Sequence, residues 1–210
     1  MPPGRFITLE GGEGAGKSTQ AALLAERLRT AGHRVDVTRE PGGTEGAEAI
    51  RALLVLGDAD RWSAVTEACL VNAARADHVT RCIRPALADG RWVVCDRFID
   101  STLAYQGAGK GMDPGELRAL HRIAAADLWP DLTLILDLPV ATGLARAALR
   151  PGAAARFEAH DAGFHERVAA GFRAIATLEP ERCRLIDATG DIDIIAGRIW
   201  ELVAPLARSC

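Results

Sequence analysis

The run Phe6-Ile7-Thr8-Leu9 leads directly into G-G-E-G-A-G-K-S at Gly11–Ser18, and this junction constrains the chain more than any other stretch of it. The octapeptide fits G-x-x-x-x-G-K-[ST], a backbone cradle for phosphate. Its glycines let successive N–H groups converge on phosphate oxygens, Lys17 reaches the β/γ phosphates, and the Ser18 hydroxyl is placed to ligate Mg²⁺. A helix from about Lys17 to Ala31, with Ala21, Leu24, Ala25 and Leu28 on one stripe, aims its positive end at the same anion. The nucleotide-binding segment is therefore Gly11, Gly12, Glu13, Gly14, Ala15, Gly16, Lys17, Ser18 and Thr19.

Bulk properties narrow the partners. A chain of 210 residues suits one domain with a substantial core, spanning 1–210. A net charge of −3 provides no electrostatic footprint for a polyanion, so nucleic acid is not an expected partner. Five cysteines (Cys69, Cys82, Cys95, Cys183, Cys210) lack C-x-x-C spacing and their number is odd, which argues against a disulfide framework and for a reducing, cytoplasmic setting. The longest stretch without Asp, Glu, Lys or Arg is the nine residues Ser101–Gly109, far short of the ~20 that span a bilayer. Neither a membrane helix nor, between Met1 and the first strand, a signal peptide is expected.

Strand-like runs recur at Phe6–Leu9, Val35–Thr38, Trp92–Cys95, Leu132–Leu136 and Cys183–Ile186, separated by helical periodicity at Ala47–Leu56, Trp62–Leu87 and Phe164–Leu178. Such alternation predicts an α/β fold, a five-stranded parallel sheet with helices on both faces. Arg150–Ala162, rich in alanine and glycine, reads as a mobile loop. Ligands of open parallel sheets bind beyond the carboxyl ends of the strands, and there the chain places Glu10 and the cradle, Arg39-Glu40-Pro41-Gly42-Gly43, Asp96-Arg97 and Asp137.

The cradle alone specifies a nucleoside triphosphate without choosing among GTPase, ATPase and small-molecule kinase. No guanine-reading Asn-Lys-x-Asp is present. Beyond the cradle, R-E-P-G-G at Arg39–Gly43, Ala73-Ala74-Arg75, D-R-F at Asp96–Phe98 with Ser101, A-Y-Q-G at Ala104–Gly107, P-D-L-T-L-x-L-D at Pro130–Asp137 and Ile186-Asp187-Ala188 resemble, in order, the signatures of the thymidylate kinases. These are P-loop NTPase-fold enzymes that phosphorylate dTMP with ATP and Mg²⁺. The resemblance covers most of the chain. It implies that Arg97 lies between donor and acceptor phosphates, that Asp96 holds hydrated Mg²⁺ with Ser18, and that Glu13 approaches the sugar 3′-hydroxyl. It also implies Arg39 and Arg51 near the monophosphate, Arg75 on a thymine carbonyl, and Tyr105 with Gln106 beside sugar and base. The adenine is expected near Arg146 and Asp187-Ala188-Thr189. Relatives are commonly homodimers, and the spread of Val65, Ala68, Cys69, Val71 and Ala76 over more than one stripe of its helix fits burial against the sheet and a second subunit.

No general base is required, because a phosphate monoester with a second pKa near 6 is already anionic at neutral pH; catalysis is expected to be positional and electrostatic. In relatives without a basic residue inside the cradle, a lid supplies arginines. Here Gly12–Ala15 contain none, and Arg146, Arg150 and Arg156 fall at a lid of about 150–162. Two positions depart from the family pattern. Val71 stands where many relatives carry a phenylalanine that stacks on thymine, which leaves Phe98 or apolar packing to compensate. Ala155 replaces the usual lid aspartate. Two further readings stay open: a kinase for another nucleoside monophosphate or a deoxynucleoside, and a nucleotide-dependent switch, against which the absent base-reading string and the two-substrate arginine set both count.

Overall fold

A computed structural model describes residues 4–149 and 155–208. The sheet consists of β1 (Phe6–Gly11), β2 (Val35–Arg39), β3 (Trp92–Asp96), β4 (Leu132–Asp137) and β5 (Cys183–Asp187). Their order is β2-β3-β1-β4-β5 and every pairing is parallel. Each strand matches its predicted apolar run and extends one or two residues further at its carboxyl end, onto the polar residues at the rim.

The helices are α1 (Lys17–Thr30), α2 (Glu45–Val55), α3 (Ala64–His78), α4 (Arg84–Ala88), α5 (Ile99–Thr102), α6 (Pro114–Ala125), α7 (Val140–Ala148), α8 (Ala155–Glu158), α9 (Ala162–Leu178) and α10 (Ile192–Arg208). On one sheet face Phe6, Val93, Cys95 and Ile135 pack with Ile83, Leu117, Val168 and Phe172. On the other, Ile7, Leu9, Val94, Leu134 and Leu136 pack with Leu24, Leu28, Ile195 and Ile199. Both faces of β1 are thus covered, and its six residues are all buried. This explains why the strand reads as a continuous apolar run rather than an alternation.

Two π-helical turns depart from simple periodicity. Val79–Ile83 joins α3 to α4: Pro85 has no N–H to donate, and the preceding turn widens so that the Arg84 N–H reaches the Val79 carbonyl. The second, Leu103–Gly109, occupies a glycine-rich stretch that carried no helical signal. Its glycines serve close packing: a Cβ on Gly109 would lie 2.6 Å from Phe164 of α9, and one on Gly171 of α9 the same distance from Ala108. Wide turns of this kind recur at functional sites, and this one carries Tyr105 and Gln106. The predicted loop 150–162 also needs correction. Arg150 lies outside the described residues, but Ala155–Glu158 forms a helical turn with the Arg156 side chain fully buried.

Candidate active site

The cradle is fixed by close backbone approach. Gly14 has φ 69°, and a Cβ there would land on the Gly143 carbonyl, while one on Gly143 would land on that of Glu13. Glycine on both sides lets α7 press directly against the loop, where any side chain would push the two apart. Gly16 caps α1 with φ 90°, turning the N–H groups of the first helical turn toward the cradle. Lys17 is buried, and its Nζ donates to the carbonyls of Gly11 at 3.1 Å and Gly12 at 2.7 Å. Burial first, and the charge of Arg97 second, lower its pKa to about 8 against the opposing carboxylates of Glu13, Asp96 and Glu10.

Sheet register brings the second element in. Leu9 of β1 lies beside Asp96 of β3, and Asp96 beside Arg39 of β2. The Ser18 hydroxyl donates directly to the Asp96 carboxylate, so the two expected metal ligands converge. Hard oxygen donors limited to one carboxylate and one hydroxyl match Mg²⁺, which is usually held by few protein groups with water and phosphates completing its shell. No cluster of three or more His, Cys, Asp and Glu able to hold a metal occurs among the described residues.

Arg97 follows with φ 74°, a left-handed conformation that costs a non-glycine residue about 1–2 kcal/mol. It is held there by its N–H bonding the Leu9 carbonyl at 3.0 Å. Its guanidinium bonds Glu13 Oε1 at 2.8 Å, Ser101 Oγ at 3.1 Å and the Gly11 carbonyl at 3.2 Å, and lies 5.0 Å from the centre of the Tyr105 ring. Burial works against the Glu13 charge, yet Arg97, Lys17 and the Tyr105 hydroxyl outweigh it and hold the carboxyl down at about 2. Beneath them Glu10, fully buried, accepts from the Phe98 N–H at 2.7 Å and the Ser101 hydroxyl at 2.5 Å. Burial and then the neighbouring Asp100 push its pKa up to about 8.

Beside the cradle opens a cavity lined by Glu13, Arg51, Arg75, Arg97, Ser101, Tyr105 and Gln106 among others. Seven of the eight residues predicted for the acceptor thus share one wall. Arg39 does not: it is exposed and paired with Glu48 at 2.9 Å. Arg51 bonds the Pro41 carbonyl at 2.8 Å, next to a cis Glu40–Pro41 peptide. Arg75 is 1 % exposed and clamped between Glu40 at 2.8 Å and Thr102 at 3.0 Å, over the Phe98 ring. A buried guanidinium needs such a carboxylate, and that requirement was the one sequence signal for Glu40, which sits in R-E-P-G-G without a predicted role. Gln106 donates to Glu67 Oε1 at 2.7 Å.

Of the three arginines expected at the lid, Arg156 is placed differently from expectation. Arg146 is exposed on α7, and Arg150 lies outside the described residues. Arg156 is not brought to the cradle: its guanidinium is buried against Glu67 and the Leu54 carbonyl, because the α8 turn folds inward onto α2 and α3. Asp187, expected near the adenine, bonds Thr189 and Arg198 at the end of β5. Phe98, the ring named to compensate for Val71, packs edge-on to Phe6 and is 0 % exposed. Phe157, half-buried and absent from the predicted site, also lines the cavity.

Known proteins resemble this chain in sequence and fold. The profile of the family "Thymidylate kinase" matches residues 9–199. The chain is 56% identical over 205 residues to the thymidylate kinase of Rhizorhabdus wittichii, covering 97% of this chain and 99% of that one. It is 57% identical over 203 residues to that of Caulobacter vibrioides, covering 97% of each. The crystal structure of thymidylate kinase from Ehrlichia chaffeensis superposes with a TM-score of 0.77 at 34% identity, over 96% of this chain and 99% of that one. With the family profile spanning nearly the whole chain and identities above one half, this protein belongs to the thymidylate kinase family.

Proposed function

We propose that the chain transfers the γ-phosphoryl group of ATP to dTMP, giving dTDP. One observation carries this reading: Arg97 reaches from the cradle's Gly11 carbonyl to Glu13 and Ser101 in the wall of the acceptor cavity. It therefore stands where two phosphate tails would meet. Residues Gly11–Thr19 would hold the ATP phosphates, with Lys17 drawing charge from the β/γ oxygens; Ser18 and Asp96 would hold Mg²⁺, which on binding neutralises phosphate charge. Arg97 would bridge donor and acceptor, a task suited to a planar fork of donors. Arg51, Arg75, Ser101, Tyr105 and Gln106 would orient the acceptor, and Arg39, held at the rim by Glu48, would act at longer range on its phosphate. The acceptor oxygen is already anionic near neutral pH, so the residues position and neutralise, and none removes a proton.

Arg146 and Arg150 are assigned the lid role, Arg146 being exposed on α7. A single domain over 1–210 is supported by a sheet whose two faces share the chain's main apolar clusters. A homodimer is supported by Val65, 60% exposed on α3, with Cys69 exposed one turn along. A cytoplasmic setting is supported by the free thiols Cys69, Cys82, Cys95 and Cys183; no described helix is long and apolar enough to cross a membrane. The test is incubation of purified protein with ATP, Mg²⁺ and dTMP, with nucleotides resolved by ion exchange. Stoichiometric dTDP and ADP are expected; ADP without dTDP, or faster turnover of another monophosphate or a deoxynucleoside, would replace the reading.

A further inference from the structure

We propose that Phe157 is the ring against which the acceptor's base rests, and that Glu67 is the positioning residue that holds it there. The proposal rests on the acceptor being a nucleoside monophosphate in the cavity described above. Val71, at the family's stacking position, gives that cavity an aliphatic wall. Phe98 also borders the cavity but is 0 % exposed, whereas Phe157 is half-buried. Phe157 meets the Tyr105 ring edge-on at 5.9 Å and 88° and keeps part of its surface open to the cavity.

A four-residue turn does not hold a ring in place by itself. Here the adjacent Arg156 anchors it. That side chain is fully buried, pairs with Glu67 Oε2, donates to the Leu54 carbonyl at 3.0 Å, and lies 4.9 Å from the centre of the Phe157 ring. Glu67, itself 0 % exposed, also accepts from Lys110 at 3.0 Å and, through its other oxygen, from Gln106 at 2.7 Å. One buried carboxylate on α3 therefore ties the α8 turn to the π-helical turn that carries Tyr105 and Gln106. Removing its charge leaves Arg156 buried without a counter-ion, and such a group is driven toward solvent, taking Phe157 with it.

Steady-state kinetics on the whole chain test both statements. Phe157→Leu is expected to raise KM for dTMP about ten-fold, the loss of roughly one base–ring stack, with KM for ATP and kcat within about two-fold. Glu67→Gln is expected to raise KM for dTMP at least as much, because it also releases Gln106, and the double variant Arg156→Lys/Phe157→Leu no further than Phe157→Leu, because both changes remove the same contact. Adding Val71→Phe to Phe157→Leu should restore KM. Should Glu67→Gln not fold, Arg156→Lys, which keeps the charge and loses the fork, has the same expected effect. An unchanged KM for dTMP in Phe157→Leu overturns the assignment of the ring, and multiplicative effects in the double variant overturn the anchoring by Arg156 and with it the role of Glu67. A wild-type protein that makes no dTDP is a separate result, which removes the functional reading and the base with it.

Discussion

Arg97 and Tyr105 converge on a single oxygen of Glu13, the first from 2.8 Å and the second from 2.7 Å. Arg97 comes from the end of β3, Tyr105 from the π-helical turn and Glu13 from the cradle, so three separate elements meet at one carboxylate. The donor side and the acceptor side of the cleft are thereby joined before any nucleotide arrives, and burial makes the join rigid.

Arg97→Ala should lower kcat by about 10³-fold, the scale on which arginines act on transferred phosphoryl groups. ATP binding, held mainly by the cradle and Lys17, should stay near the wild-type value. Single-turnover kinetics with a parallel nucleotide titration check both; near-normal turnover would refute the bridging role.

ATP affinity should fall at alkaline pH. Phosphate binds protonated Lys17 better, so binding raises the pKa of this group above its free value of about 8. Affinity is then full below that value and is lost as pH rises from it toward the higher pKa of the complex, by up to about ten-fold per unit. Calorimetry with ATP at pH 7.5 and 9.5 measures the slope, and Lys17→Met should flatten it.

The Tyr105 ring, buried at the cavity wall, leaves little room for a 2′-hydroxyl beside the sugar. The chain should prefer dTMP over ribothymidine monophosphate by about ten-fold or more in kcat/KM, and Tyr105→Ala should narrow that gap. Equal turnover of the two by the wild type would remove the steric explanation.

Gly143→Ala adds one methyl group where α7 meets the carbonyl of Glu13. The cradle must shift to admit it, and overpacking of this kind costs about 1–3 kcal/mol. A lower Tm together with weaker ATP binding is expected. Unaltered ATP affinity would mean that α7 yields rather than the loop.

All five strands were legible because parallel strands covered on both faces are written as uninterrupted apolar runs, and the cradle because its spacing is dictated by backbone geometry around a phosphate. The helical turn Ala155–Glu158 and the wide turn Leu103–Gly109 were not. Helix formation there depends on contacts with α2, α3 and α9 that no local period encodes, and Gly109 reads as flexible until Phe164 is seen against it.

The same division holds for the site. By itself the sequence determined the chemical types at the rim, since phosphate demands converging N–H groups, a lysine, arginines and a hard-oxygen pair such as Ser18 and Asp96. Only the tertiary structure decided how those charges are shared. Arg156 is drawn inward by Glu67, 89 residues away in the chain, and Arg75 by Glu40 across 35 residues. A guanidinium is long and carries donors on several sides, so its sequence position fixes where it starts, and the carboxylate that the fold brings within reach fixes where it ends.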